Sequence, residues 1–332
     1  MNKKIKINFV GYEPYMRENN FVLEILKKHY EVEISETPDI LFYSVFNADY
    51  KKYNCIKVFV SGEPCTPDFN ECDYAISSVK INFDDRHCYY PFYFLTGLTQ
   101  FKFSNNNGAH SKFCNFIYSH TSSRAGNLRN VFCQELMKYK SVDCLGKVLH
   151  NKDDKRLGSR ENSNWRALKQ EVLAEYKFTI AFENANISGY TTEKILDPLQ
   201  ANSIPIYYGN EHISDLVNPE AFINANDYVN NFDQLIAKIK EIDENDELYQ
   251  KMINCPKCNP NLAYLYDQEL ESFLINVVEN GRVYDKDPYH FLDKVRICGY
   301  PFKLIIYYKI LPIMAKYKYR LKSYIVRLME KN

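Results

Sequence analysis

Apolar and polar positions alternate over 4–10, with Ile5, Ile7 and Phe9 on one side, which is the pattern of a strand. The register then changes: Phe21, Ile25 and Lys28 have helical spacing and predict a helix over 20–28. Short runs of β-forming residues predict further strands at 32–35, 40–45, 56–60, 73–77 and 89–95, a β-α-β rhythm. Ser104-Asn105-Asn106-Asn107-Gly108 is the clearest linker signal in the chain and places a domain boundary there. A second alternation opens at 112–119 and continues with a helix over 125–139, a strand at 142–145 and a helix over 164–175. Strands at 178–182, 204–208 and 221–225 and a helix over 231–244 complete it. Beyond Pro260 the residues Leu262, Leu265, Tyr266, Leu270, Phe273, Leu274 and Val277 recur at helical spacing, long enough to reach back across both halves.

The richest chemistry lies in 176–209. Its strand at 178–182 runs into Glu183-Asn184, Gly189 breaks the extended run, Thr191 and Thr192 can cap a helix that begins at Glu193, and the next strand starts at Ile204. Asn184, Tyr190, Glu193 and Lys194 therefore gather where a strand's carboxyl end meets a helix amino terminus. In an open α/β sheet that is the place for a phosphate-bearing ligand, because free amides and the helix dipole favour an anion. Lys194 adds a full charge, while the Glu193 carboxylate suits paired ribose hydroxyls, so together they suggest a nucleoside diphosphate. Spacing alone leaves this open against an ordinary βαβ unit with surface charges at its helix start.

Composition narrows the choice. Lys plus Arg equal Asp plus Glu at 42 each, which argues against a nucleic-acid protein held by a basic field. The charge is unevenly placed: from Lys303 on, eight basic residues face the single acid Glu330, a surplus of +7, leaving −7 for the rest. Residues 302–315 are apolar but interrupted by Lys303, Lys309 and Pro312, too short to cross a bilayer. Residues 316–331 put Tyr317, Leu321, Tyr324, Ile325 and Leu328 on one helical face and Lys316, Arg320 and Arg327 on the other, the form of an interfacial helix. An anionic membrane surface is the expected partner of 302–332; docking on the protein's own core or on a second copy is the alternative. Ten cysteines without a paired framework, and no apolar stretch after Met1, point to a reducing cytoplasm, peripheral on the inner face of a bacterial membrane. Cys255-Pro256-Lys257-Cys258 has no second ligand pair nearby and reads as a turn, and Asp285-Lys286-Asp287 as a surface turn.

The string Tyr-Lys-Phe…Phe-Glu-Asn…Gly-Tyr-x-Thr-Glu-Lys, then a helix and Ile-Pro-Ile-Tyr-Tyr-Gly, resembles the donor-binding signature of the bacterial, Helicobacter-like α1,3-fucosyltransferases. Val58-Phe59-Val60-Ser61-Gly62-Glu63 with Phe69 and Asp73-Tyr74-Ala75-Ile76, and Phe116-Ile117-Tyr118-Ser119 with Arg129-Asn130, extend the resemblance over roughly 55–265. It implies the GT-B architecture, an α/β fold of two Rossmann-like βα domains facing across a cleft, which the two alternations also describe. On this basis 1–108 is the acceptor-binding domain, 109–262 the donor-binding domain, 263–300 a helical return segment and 301–332 a basic amphipathic tail.

The resemblance further implies a donor, GDP-fucose, and an inverting transfer to a hydroxyl of an N-acetyllactosamine-type glycan, an oligosaccharide or lipopolysaccharide, through an α1,3 linkage. By matching motif positions Glu63 is the base, Arg129 and Lys194 hold the diphosphate, Tyr190, Asn184 and Ser119 contact the donor, and Glu193 binds the ribose. The loop 119–128 makes Arg124 a rival to Arg129. No protein-held metal is required, although a divalent ion can assist. Two other classes stay open: a GT-B enzyme using another nucleotide sugar, and a non-catalytic glycan-binding scaffold. A nicotinamide dehydrogenase is disfavoured by the lack of GxGxxG after the first strand.

Overall fold

The computed structural model describes residues 3–12, 20–100, 103, 110–119, 124–158, 164–229 and 231–285, with the side chains of 100 and 124–126 excepted. The linker at 104–108, the side chain of Arg124, Asp287 and the tail 301–332 lie outside these residues.

Two parallel sheets carry the fold. The first joins β1 (Lys4–Val10), β2 (Glu31–Ile34), β3 (Ile40–Tyr43), β4 (Ile56–Ser61), β5 (Tyr74–Ser77) and β6 (His87–Tyr89) in the order β2-β1-β3-β4-β5-β6. The second joins β7 (Lys112–Phe116), β8 (Val142–Cys144), β9 (Tyr176–Phe182), β10 (Ile204–Tyr208) and β11 (Ile223–Asn224) in the order β11-β10-β9-β7-β8. Parallel sheets are covered on both faces, so their strands read as continuous apolar runs. β3, Ile-Leu-Phe-Tyr, is buried at every position, and so is β9 from Phe178 onward.

Helices α1 (Phe21–His29), α2 (Phe92–Gln100), α3 (Arg124–Met137), α4 (Trp165–Leu173), α5 (Glu193–Gln200), α6 (Phe232–Asp243), α7 (Asp246–Asn254) and α8 (Leu262–Asn280) complete the described elements. The strand expected over 89–95 is corrected. β6 stops at Tyr89, and Pro91 stands just before α2, where its missing N–H costs nothing; its carbonyl accepts from Leu95 N at 3.0 Å. The apolar run that imitates a strand is a helix face, with Phe94 and Leu95 buried against Ile195, Leu196 and Leu199 of α5. The strand expected over 221–225 shortens to the two residues of β11, because Pro219–Ala221 forms a 3-10 turn.

Two helices tie the sheets together. α8 buries Leu262 with Leu216 and Phe222 at the second sheet, and Leu270, Leu274 and Val277 with Ile5, Ile7 and Val58 in the first core, the bridging that its spacing predicts. α2 follows the first sheet in sequence but packs on α5. The contact between halves is finished at Gly189: Lys80 N donates to Ser188 O and Tyr89 Oη to Gly189 O, each at 2.8 Å. Gly189 has φ +86°, and a Cβ there would lie 2.5 Å from Lys80 N. Only glycine fits, on both counts. Gly189→Ala should therefore destabilise the protein by more than about 1 kcal/mol, read as a lower urea midpoint at unchanged slope.

Candidate active site

In the second sheet the chain leaves β7 toward β8 on one side and returns to β9 on the other, so β7 and β9 flank the point where strand order reverses. Ligands of open α/β sheets bind outside the carboxyl ends of the strands at such a point. β7 runs out into Ile117-Tyr118-Ser119, β9 into Glu183-Asn184, and a cavity of about 520 Å3 lies between them. Ser119, Arg129, Asn184, Glu193 and Lys194 all line it, five of the six donor residues expected from sequence. Tyr190 does not. Its ring is buried with Val79 and Ile187, within electrostatic reach of Lys194 on one side and Glu63 on the other.

The cavity floor is built around a carboxylate to which sequence reading assigned no role. Glu183 is fully buried at the end of β9, where it accepts from Thr192 N at 2.8 Å and from Thr192 Oγ1 at 2.8 Å. Thr192 caps α5 as its residue type predicts, accepting from Lys194 N, and its hydroxyl also accepts from Lys194 Nζ at 3.0 Å. Lys194 Nζ lies 3.3 Å from Glu183 and 3.5 Å from Glu193. Burial opposes a charge on Lys194, but the Glu183 and Glu193 carboxylates outweigh it and raise its pKa. Burial also opposes a charge on Glu193, yet Lys194 and Lys169 hold its carboxyl down at about 2. Burial pushes the Glu183 carboxyl up, Lys194 and the Thr192 bonds pull against it, and Glu193 adds to the rise. A carboxylate so placed is usable as a structural anchor, since it is absent from the cavity wall.

Arg129, 2% exposed in the second turn of α3, lies 3.9 Å over the Tyr118 ring and donates from Nη1 to Asn184 Oδ1 at 3.2 Å. Burial lowers its pKa, although an arginine keeps its charge. Tyr118 is itself fixed, its hydroxyl accepting from Phe182 N at 2.7 Å. Helix α4 adds three wall residues that the sequence reading missed, Trp165, Lys169 and Leu173. Lys169 and Arg166 are held by the buried Asp197 of α5 at 2.7 and 2.9 Å. The described walls thus present Arg129, Lys169 and Lys194 against Glu193, a surplus of cations suited to an anion.

Glu63 follows β4 and Gly62 in the first domain, half-buried, and its Oε1 accepts from Tyr93 Oη at 2.7 Å. Tyr93 lines a second groove of about 360 Å3 together with Trp165 and Glu193, two residues that also line the larger cavity. Glu63 lines neither space itself: it is tied through its tyrosine partner to the smaller groove, which shares Trp165 and Glu193 with the larger cavity. The arrangement can hold a diphosphate on one side and take a proton on the other.

Two family models match the chain in succession: the α-(1,3)-fucosyltransferase FucT N-terminal domain over residues 7–96 and the glycosyltransferase family 10 (fucosyltransferase) C-terminal domain over 108–257. A fucosyltransferase homologue of Acanthamoeba polyphaga mimivirus is 32% identical over 270 residues, 79% of this chain and 43% of the relative. The α-(1,3)-fucosyltransferase FucT of Helicobacter pylori is 27% identical over 332 residues, 86% of this chain and 67% of the relative. The chain thus spans less than half of the first relative and about two-thirds of the second. Among solved structures, an α1,3-fucosyltransferase with GDP-fucose aligns at a TM-score of 0.66 and 24% identity, covering 86% of this chain and 94% of that one, which establishes the GT-B fold.

Lys194→Met keeps the stem and removes the charge, so GDP affinity should fall roughly ten- to hundredfold by calorimetry, the scale of a charge-assisted bond. Unchanged affinity would put the diphosphate elsewhere.

Proposed function

We propose, for a chain that resembles the bacterial α1,3-fucosyltransferases over both of its domains, the inverting transfer of L-fucose from GDP-fucose to a hydroxyl of an N-acetyllactosamine-type glycan. The observation that carries this reading is that the cavity lined by Arg129, Lys194 and Glu193 shares Glu193 and Trp165 with the groove of Tyr93, whose hydroxyl holds the first-domain carboxylate Glu63.

The roles follow from charge and placement. Arg129 and Lys194 bind the diphosphate and stabilise the charge that grows on it as the glycosidic bond breaks. Glu193, half-exposed and ionised, accepts from the ribose hydroxyls, while Ser119 and Asn184 add neutral contacts at the strand ends. Tyr190, buried with Val79 and Ile187, lies within electrostatic reach of both Lys194 and Glu63. Glu63 takes the acceptor proton as the acceptor oxygen attacks the anomeric carbon opposite the departing GDP, turning a β-linked donor into an α-fucoside. Because fixed cations and a helix amino terminus meet the leaving group, no protein-held metal is part of the reading; a divalent ion, where it helps, acts on the diphosphate. Lipopolysaccharide or a free oligosaccharide is the proposed acceptor, and α1,3 the proposed linkage.

The test is GDP release from GDP-fucose with lactose, N-acetyllactosamine, its type-1 isomer and a serine-containing peptide. The peptide is included because a human GDP-fucose protein O-fucosyltransferase 3 matches 38% of the chain. Turnover with N-acetyllactosamine and an α1,3 product are expected; turnover with the peptide alone would replace the acceptor class. Glu63→Gln should lower kcat by about 10²–10⁴-fold with GDP affinity retained, because a general base acts in the transition state. A near-normal rate would remove Glu63 from that role.

Residues 302–332 are proposed to hold the enzyme on the inner face of a bacterial membrane. The full chain should float with anionic liposomes and a chain ending at 301 should not, while both turn over soluble acceptor. Equal flotation of the two would end this proposal.

A further inference from the structure

Glu63 is fixed at two points. Its backbone N–H donates to Ser61 Oγ at 3.1 Å, and its Oε1 takes the Tyr93 hydroxyl at 2.7 Å, which leaves Oε2 for another partner. Gly62 is what lets the tyrosine approach: a Cβ there would lie 3.3 Å from Tyr93 Cε2 and 3.4 Å from Phe92 Cβ. Tyr93 stands outside the sheet that carries Glu63, in the first turn of α2, and α2 is packed on the donor-site helix α5. Gln200 Nε2 donates to Gly97 O at 3.0 Å, and a Cβ at Gly97 would lie 2.4 Å from Leu196 Cδ2 and 2.7 Å from Arg166 Nη2. The opposite end of α5 carries Glu193 and Lys194. One hydroxyl therefore connects a first-domain carboxylate to the helix that lines the anion cavity.

We propose that Tyr93 is the positioning residue of the base, holding Glu63 Oε1 so that Oε2 takes the acceptor proton, and keeping that oxygen in register with the donor helix. In the step it serves, the acceptor O–H bond breaks toward Oε2, the acceptor oxygen bonds to the anomeric carbon, and the anomeric C–O bond breaks with its electron pair leaving on GDP. Burial, and then Glu63 itself, raise the Tyr93 pKa, so the phenol keeps its proton and donates. Around the pair stand Glu193, Lys194 and Tyr190 on the donor side and Cys65 beside Glu63.

The inference rests on Glu63 being the base, and the test separates the two. Full-length wild type, Tyr93→Phe, Glu63→Gln and the double variant are assayed with GDP-fucose and N-acetyllactosamine across pH, with GDP affinity measured in parallel. Tyr93→Phe keeps the ring packing, so GDP affinity should stay within about twofold while kcat falls roughly ten- to hundredfold, the scale of a hydrogen bond to a charged group. Fluorotyrosine incorporated at position 93, a stronger donor of nearly the same shape, should keep the turnover that phenylalanine loses. Tyr93→Phe should add little to Glu63→Gln, since it acts through Glu63. A near-wild-type rate in Tyr93→Phe, the same fold-loss in both backgrounds, or no recovery with fluorotyrosine would overturn the positioning role. Wild-type turnover in Glu63→Gln would instead overturn the base assignment beneath it.

Discussion

A buried carboxylate with one lysine and one threonine, Glu183 with Lys194 and Thr192, is the contact on which the site depends. Removing a carboxylate from water is costly, and the cost is met only where a cation and several donors converge on it. Here the donors are the backbone and hydroxyl of the residue that caps α5 and the ammonium two positions later. The same contact thus starts the helix, aims Lys194 and fixes α5 against the end of β9. Deleting one member of such a pair leaves the other buried and unmatched, a loss of about 3–5 kcal/mol in comparable cases.

From that anchor the rest of the geometry is set by packing. α5 lies against β9 and β10 on one side and α2 on the other, so the position of its amino terminus constrains both the cation-lined cavity and the tyrosine that holds Glu63. Asp197, buried in the same helix, binds Arg166 and Lys169 and thereby draws α4 and its Trp165 to the cavity wall. Gly189 admits the first domain at Lys80 and Tyr89 to the loop between Glu183 and Thr192. Glu63 and the cation-lined cavity come from different sheets, but three of these contacts pass through one short helix and the loop before it.

Much of this was legible in the chain. Strands buried on both faces show as unbroken apolar runs, which is why both parallel sheets and their order of succession could be read. The cap at Thr192 and the convergence of Asn184, Glu193 and Lys194 followed from residue type and spacing. The misreadings have physical causes. An apolar run after Pro91 fits a strand or a helix face equally until its partner α5 is known, and assigning it to a strand hid Tyr93. Glu183 stands next to Asn184 in the motif, yet nothing local shows that a carboxylate there is fully buried. Trp165 and Lys169 sit on a helix of ordinary composition, and it is tertiary contacts, that with Asp197 among them, that turn it toward the cavity.

The central claim, that Arg129 and Lys194 hold a diphosphate whose sugar faces Glu63, is tested most directly by a crystal structure of the enzyme with GDP-fucose. The account predicts both phosphates between the Arg129 guanidinium and Lys194 Nζ, the ribose at Glu193, and the fucose anomeric carbon turned toward the Glu63 and Tyr93 pair. Nucleotide density in the separate surface groove lined by Phe222 and Met252, or a sugar turned away from Glu63, would contradict it.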